Sequence, residues 1–400
     1  SRVFPIAVAA AGLIAPAVSL RAQAPAAAPL TNASQILVAS LEKVAAVIEP
    51  QKGAAPRTFS ADLEIGSADG APKELRGAKG KIRYQAPDKL WFEGTAGSVS
   101  AILGRNGQEL WIHAPSKKFG VIGRPEEPLF ASAPDKKDAT KMSRIKLSIP
   151  TDQLALLPVF LDIQSKGEET IEGVACDVLL VSPKPEATAA FKIPACKITL
   201  GVRRTDRLPA IIGFEQDKVK VSLALKSIQL SEPAPADSWK LKPNDGDRIE
   251  KTALAHLRRF IPVAFSLLNN KVPPLGAATG TRVVVAMEGK GRLEEIDGTQ
   301  MLYVEGTPEE MGRQQGMLLK PQIRDLVDHI LYGVGVGSSF EKGKWFFGEI
   351  ETAQARLQPF MSDRYLREMD AMADAMGMHR EEARLANYFP ELFHCSGLDR

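Results

Sequence analysis

The chain has 400 residues, of which 44% are hydrophobic and 25% charged, and its net charge is +3. That is the composition of an ordinary globular protein, long enough for two or three domains. Acids and bases are interspersed, which leaves no electrostatic footprint for nucleic acid, and the five scattered His residues have no zinc-site spacing. Neither a metal nor another cofactor is expected.

The first residue is Ser, so the true N-terminus is expected to be missing or trimmed. Arg2 precedes an apolar run, Phe4 to Leu20, broken by Pro5 and Pro16. Ala22-Gln23-Ala24 and the tract Pro25-Ala26-Ala27-Ala28-Pro29 follow. A positive start, a short apolar core and an A-x-A site describe a secretory signal peptide over residues 1–24. The run is marginal as a membrane span, and an N-terminal anchor is the alternative. The expected location is periplasmic or secreted.

From Ser34 to Ile48, Ile36, Leu37, Leu41, Val44, Val47 and Ile48 recur at three and four, which predicts an amphipathic helix capped by Asn32 or Ser34. The period then changes to two. Phe59–Ile65, Gly80–Tyr84, Lys89–Glu93, Val99–Leu103 and Glu109–His113 alternate as half-buried strands, with an Asn-Gly hairpin turn at Asn106-Gly107. Further strands are predicted at Cys176–Val181, Lys197–Val202, Ala210–Glu215 and Val219–Leu230, and a short helix at Thr151–Val159. An antiparallel sheet of about ten strands with one or two helices on a face accounts for residues 31–242.

The leading helix followed by "KIRYQAPDKLWFEG", "NGQELWIHAPSKKFGVI" and "GEETIEGVACDVLLV" resembles the lipoprotein-carrier and related periplasmic domains. These are half-open barrels that hold acyl chains in an apolar hollow. The resemblance implies a lipid pocket lined by Trp91, Leu103, Trp111 and Leu180; ordinary core is the other reading of the same residues. Export would permit a disulfide between Cys176 and Cys196 if their strands are neighbours, whereas a simple hairpin sets them out of register. Either way Cys395 is the odd thiol.

Residues 243–281 read as a Pro-punctuated linker, with a helical piece from Asp247 to Leu268 and a hinge at Gly276–Gly280. Next, Arg282–Met287, Arg292–Ile296 and Gln300–Val304 read as strands, the last two joined by an Asp297-Gly298 turn. Thr307-Pro308-Glu309-Glu310 is a capping box with Pro at the first helical position, opening a helix to about Leu331. Gly312 and Gly316 on one face would let another element approach closely. Helices near Lys342–Pro359, Asp363–Met376 and Arg380–Tyr388 complete the region, with Gly377 as a C-cap and a break at Pro390.

"YVEGTPEEMGRQQGMLLKPQI", about seventy residues of helix and "ANYFPELFHCSG" together resemble the penicillin acyltransferase-type self-cleaving cysteine hydrolases over residues 282–397. Those proteins fold as αββα N-terminal-nucleophile hydrolases. The resemblance implies autoproteolysis at His394–Cys395, with Cys395 as nucleophile and its freed α-amino group taking the thiol proton. His394 either assists the cut or is an exposed spacer. The β-subunit portion of such a precursor would lie beyond Arg400, so residues 282–400 would be its truncated α-subunit-like region, inactive alone.

The expected fold is α+β, an antiparallel half-open β-barrel with a covering helix followed by an incomplete, mainly helical hydrolase piece. The expected function is an exported autoproteolytic cysteine acyltransferase or amidohydrolase precursor acting on an amide or acyl ester. The alternative is a periplasmic lipid- or lipoprotein-binding module without catalytic activity.

Overall fold

A computed structural model describes residues 32–71, 75–96, 99–146, 150–191, 195–269 and 282–395. The expected signal peptide and the Gly276–Gly280 hinge lie outside the described residues. The chain divides into two compact units, Ser1–Ile122 with Lys141–Ile249, and Gly123–Thr140 with Glu250–Arg400. The expected boundaries differ from this at two places. Residues 123–140 leave the first unit, and the expected linker carries a strand and a helix.

The first unit is built on one sheet. Its strands are β1 (Thr58–Asp69), β2 (Lys79–Gln85), β3 (Lys89–Ala96), β4 (Val99–Asn106), β5 (Leu110–Ala114) and β6 (Phe119–Arg124), then β7 (Leu161–Ile171), β8 (Val174–Pro183), β9 (Lys197–Arg203), β10 (Pro209–Gln216) and β11 (Val219–Ser231). A twelfth strand, β12 (Arg248–Ala253), pairs with β6 and carries the chain into the second unit. The order is β12-β6-β5-β4-β3-β2-β1-β11-β10-β9-β8-β7, so the sheet is open at β12 and β7. The long pairing of β1 with β11 joins two meanders, and the ladders running from β5 through β1 and β11 to β7 are antiparallel. Edge strand β7 is bulged between Ser165 and Gly167, where Gly167 takes φ +100°, and its run Ser165–Thr170 is exposed.

Alternation makes one face of this sheet apolar from end to end. Ile112, Leu103, Phe92, Ile82 and Ala61 stand opposite one another in one row across β5 to β1. Ile65, Leu223, Ile212, Leu200 and Leu179 form a second row across β1, β11, β10, β9 and β8. The other face carries Asp62, Lys81 and Glu93 in the same ladders.

Helix α1 (Asn32–Ile48) lies on the apolar face. Ser34 is a buried residue within this helix and not its cap. Ala33 and Leu37 pack on Leu179, Val181, Leu200 and Val202 of β8 and β9, while Ala45 packs on Leu154 and Leu157. At its far end the carbonyl oxygen of Ile48 accepts from the Tyr84 hydroxyl on β2, 3.0 Å away. From β8 to β2 is five strand spacings, roughly 24 Å. A helix of 17 residues is roughly 25 Å long, enough to reach from its packing on β8 and β9 to the Tyr84 hydroxyl on β2. The expected helix at Thr151–Val159 is a 3-10 turn, Thr151–Leu156, continued by α2 (Leu157–Phe160). α3 (Pro185–Phe191) joins β8 to β9.

In the second unit the stretch expected to be helical from Asp247 is strand β12 up to Ala253. Helix α4 (Leu254–Asn269) follows, with Leu254, Leu257 and Phe260 fully buried. β13 (Arg282–Glu288), β14 (Gly291–Ile296) and β15 (Thr299–Tyr303) form a three-stranded sheet. α5 (Pro308–Leu318) opens with both hydrogen bonds of the Thr307/Glu310 capping box. It does not run on to Leu331, because Pro321 has no N–H for the Met317 carbonyl and its ring crowds that position. α6 (Lys320–Val327), a π-helical segment (Asp328–Val336) and α7 (Gly337–Lys342) replace the expected single helix. α8 (Phe346–Leu357), α9 (Asp363–Met376) and α10 (Arg380–Cys395) follow. Gly312 and Gly316 face α9, where a methyl on Gly316 would stand 2.6 Å from the Met372 carbonyl oxygen and one on Gly312 would overlap that of Glu368. The expected break at Pro390 is absent; Pro390 lies inside α10. Among the described residues the second unit carries this three-stranded sheet together with helices α4 to α10.

Candidate functional site

The apolar face of the first unit is unevenly covered. At one end Leu179 and Leu200 are sealed by α1, and on the other side Phe92, Ala61 and Leu63 form a buried cluster. Between them, on β10 and β11, Phe214 and Val221 are only half-buried and Ile212 is 36% exposed, while Leu223 and Leu225 are half-buried at the edge of the Phe92 cluster, against which they pack. Val44, Val47 and Ile48 on the C-terminal half of α1 are half-buried as well. Closely packed interiors rarely leave facing apolar rows so exposed. The arrangement can hold an apolar chain lengthwise along β10 and β11 by area burial alone.

The four residues expected to line a lipid pocket do not line one surface. Leu103 is on the apolar face, opposite Phe92 and Ile112 and 6% exposed. Trp91, opposite Arg83 and Gly104, and Trp111, opposite Gly104, are on the other face. Leu180 alternates with the inward Leu179 and Val181 and is on that other face too, opposite Thr199 and Gln164. The lining came from the resemblance alone, and the ladder pairing sets Trp91, Trp111 and Leu180 on the face opposite Leu103. The residues that were missed, Ile212, Phe214, Leu223 and Leu225, carried a signal in the alternation of β10 and β11.

Cys176 and Cys196 are free thiols. Cys176 pairs across the ladder with Arg203, whereas Cys196 precedes the opposite end of β9. The offset of seven residues is roughly 23 Å of strand, far beyond disulfide reach. Burial pushes both thiols above their ordinary range, so neither is an activated nucleophile. His394 and Cys395 are the last two residues of α10, and their side chains lie outside the described residues.

The second unit contains a charged network that sequence reading did not single out, in which Glu382 and Tyr332 are buried and Arg259 and Asp328 half-buried. Arg259 of α4 bonds Asp328 (2.5 Å), Glu382 and the Tyr332 hydroxyl (3.1 Å). Burial opposes the guanidinium charge, but Tyr332, Glu382 and Asp328 outweigh it and raise its pKa. Burial and the neighbouring Glu382 carboxylate likewise raise the Tyr332 phenol. His256 stacks on Phe347 at 4.3 Å, and its Nδ1 lies 2.7 Å from Thr252 Oγ1. Every charge in the network is answered by a neighbour, the pattern of a structural ion pair. No group of three or more His, Cys, Asp or Glu side chains able to hold a metal ion occurs among the described residues.

No protein-family model matches the chain, and no curated protein matches it. Among solved structures it is similar to an uncharacterized conserved protein from Thermus thermophilus, at 12% identity over 55% of this chain and 99% of that one, with a TM-score of 0.31. It is also similar to lipoprotein LppX of Mycobacterium tuberculosis, at 11% identity over 51% and 98% of the two chains with a TM-score of 0.28. A LolA superfamily protein from Nitrosomonas europaea matches at 14% identity over 53% and 98%, with a TM-score of 0.21. Likenesses of that size decide neither fold nor function, which rest on the geometry of this chain. No helix among the described residues is long and apolar enough to cross a membrane.

Proposed function

We propose that the first unit is a carrier-like module that binds the acyl chain of a lipid or lipoprotein between α1 and the apolar face of its sheet. The observation that carries this reading is the half-exposed strip of Ile212, Phe214, Leu223 and Leu225 between two sealed stretches of the same face. Burial of about ten methylenes is worth on the order of 8 kcal/mol before association costs, enough to hold a chain reversibly. A periplasmic or secreted location goes with this reading and is supported by the pattern of residues 1–24.

The test is titration of the delipidated chain with a fluorescent fatty acid, beside Leu223→Lys and Leu225→Lys. Stoichiometric binding that both variants abolish supports the module. Absence of binding, or binding untouched by either lysine, rejects it.

A second reading concerns residues 282–400, as the α-subunit-like part of a self-cleaving acyltransferase or amidohydrolase with Cys395 as nucleophile. It is supported by the local geometry of the matching motif: the capping box at Thr307 and the close approach of Gly312 and Gly316 to α9. The full reading frame, expressed with Cys395 or with Cys395→Ala, tests it by size. A product that is never cut before Cys395, or a Cys395→Ala product cut equally well, ends the reading.

A further inference from the structure

The opposite, polar face of the sheet is crossed over β2 to β5 by the segment that follows β11. Its start is held by Ala234, whose N–H donates to Thr58 Oγ1 (3.0 Å) and Gln85 Oε1 (2.9 Å). Further along, the Trp239 carbonyl oxygen accepts from Asn106 Nδ2 at 3.2 Å, and Asp247 Oδ2 lies 2.8 Å from His113 Nε2. Between segment and sheet is a cavity of ≈ 280 Å³ whose walls include Arg83, Trp91, Trp111, His113, Lys240 and Lys242.

Three features of the cavity are unanswered by the chain itself. The Arg83 guanidinium sits over the Trp91 ring at 4.5 Å and the Trp239 ring at 5.6 Å, and no described residue accepts a hydrogen bond from it. Trp111 and His113 are each 1% exposed, yet Trp111 Nε1 and His113 Nδ1 have no hydrogen-bond partner among the described residues. The cationic charge is incompletely cancelled: Lys240 pairs with Asp237 at 3.0 Å on the open side, Glu93 acts on Arg83 only at longer range, and Asp247 is engaged by His113. Buried polar groups without partners call for a ligand, and a stacked guanidinium is the side chain suited to a planar or tetrahedral oxyanion.

We propose that this cavity is an anion-binding site, taking a carboxylate or phosphate group borne on a small apolar body, with Arg83 as its anchor. Lys240 and Lys242 supply charge at the mouth, and the Trp91 ring forms an apolar wall. The site is separate from the acyl-chain strip, because the two lie on opposite faces of one sheet.

The experiment is calorimetric titration of the full chain with phenyl phosphate, with inorganic phosphate, and with vesicles of phosphatidylcholine with and without phosphatidylglycerol. Saturable binding is expected, weakened at least tenfold by Arg83→Gln, less by Arg83→Lys, and severalfold by Lys242→Gln. Response to the soluble phosphates identifies a free anion as the ligand, and response to phosphatidylglycerol vesicles alone identifies a lipid headgroup. Lys242 is exposed, so Lys242→Gln decides the matter should Arg83→Gln fail to fold. No saturable binding of any probe, or wild-type affinity in the folded variants, overturns the proposal.

Discussion

The hydroxyl of Tyr84 on β2 donates to the carbonyl oxygen of Ile48, the final residue of α1, at 3.0 Å. Burial raises the phenol to about 12, so it stays protonated and donates throughout the physiological range. This bond ties the far end of the helix to the strand that closes its span. Tyr84→Phe is expected to lower stability by about 1 kcal/mol in urea unfolding. If the acyl-chain reading holds, the same variant exchanges bound fatty acid faster, because the end of α1 is no longer fastened.

The covered and uncovered parts of the apolar face should respond differently to truncation. Phe92 is 1% exposed within its cluster, and Phe92→Ala should cost about 3–5 kcal/mol. Leu225 is half-buried, and Leu225→Ala should cost roughly 1 kcal/mol or less while weakening acyl binding. Equal losses of stability would mean that the strip is ordinary core.

Two glycines in helices of the second unit should move stability in opposite directions. A side chain on Gly312 of α5 meets the backbone of Glu368 on α9, and Gly312→Ala should cost about 1–3 kcal/mol by overpacking. A methyl group on Gly348 of α8 would meet nothing within 4 Å, so Gly348→Ala should gain about 0.5–1 kcal/mol through helix propensity. Thermal unfolding midpoints of the two variants check both signs.

Burial, with a contribution from Arg259, lowers the His256 pKa to about 3. The unfolded chain, titrating near 6.5, therefore binds one more proton than the folded chain between those values. Stability from this site is complete above pH 6.5 and is lost as pH falls toward 3, by up to about 1.4 kcal/mol per pH unit. The comparison is wild type against His256→Phe in urea from about pH 7.5 to about pH 4.5, a window that brackets the unfolded titration. The variant should show the shallower slope, and equal slopes would refute a buried neutral imidazole.

Much of the architecture was legible because local signals agreed with one another. The alternation at Phe59–Ile65 and Val219–Leu230, the caps at Thr307 and Gly377, and the small residues at Gly312 and Gly316 all correspond to observed structure. β7 was missed because its run from Ser165 to Thr170 is polar on both faces, as an edge strand can be but a half-buried one cannot. β12 was read as helix because Arg248–Ala253 is short and flows directly into the apolar period of α4. The candidate site was half legible. Which face each strand buries followed from period two, but whether a buried-looking face is filled depends on the reach of α1, a relation between residues far apart in the chain. The Trp residues misled for the same reason: their hydrophobic bodies are covered on the polar face by a segment more than a hundred residues later.

The exposed run on β7 bears on how the protein behaves when concentrated. Lys166, Glu168 and Glu169 stand along that outer strand beside the bulge at Gly167. A second molecule aligning a strand there would have to strip water from these charges and follow a kinked backbone. This margin of a sheet with a sticky interior thus makes a poor template for filament growth, and the chain can carry its apolar strip without seeding stacks of itself.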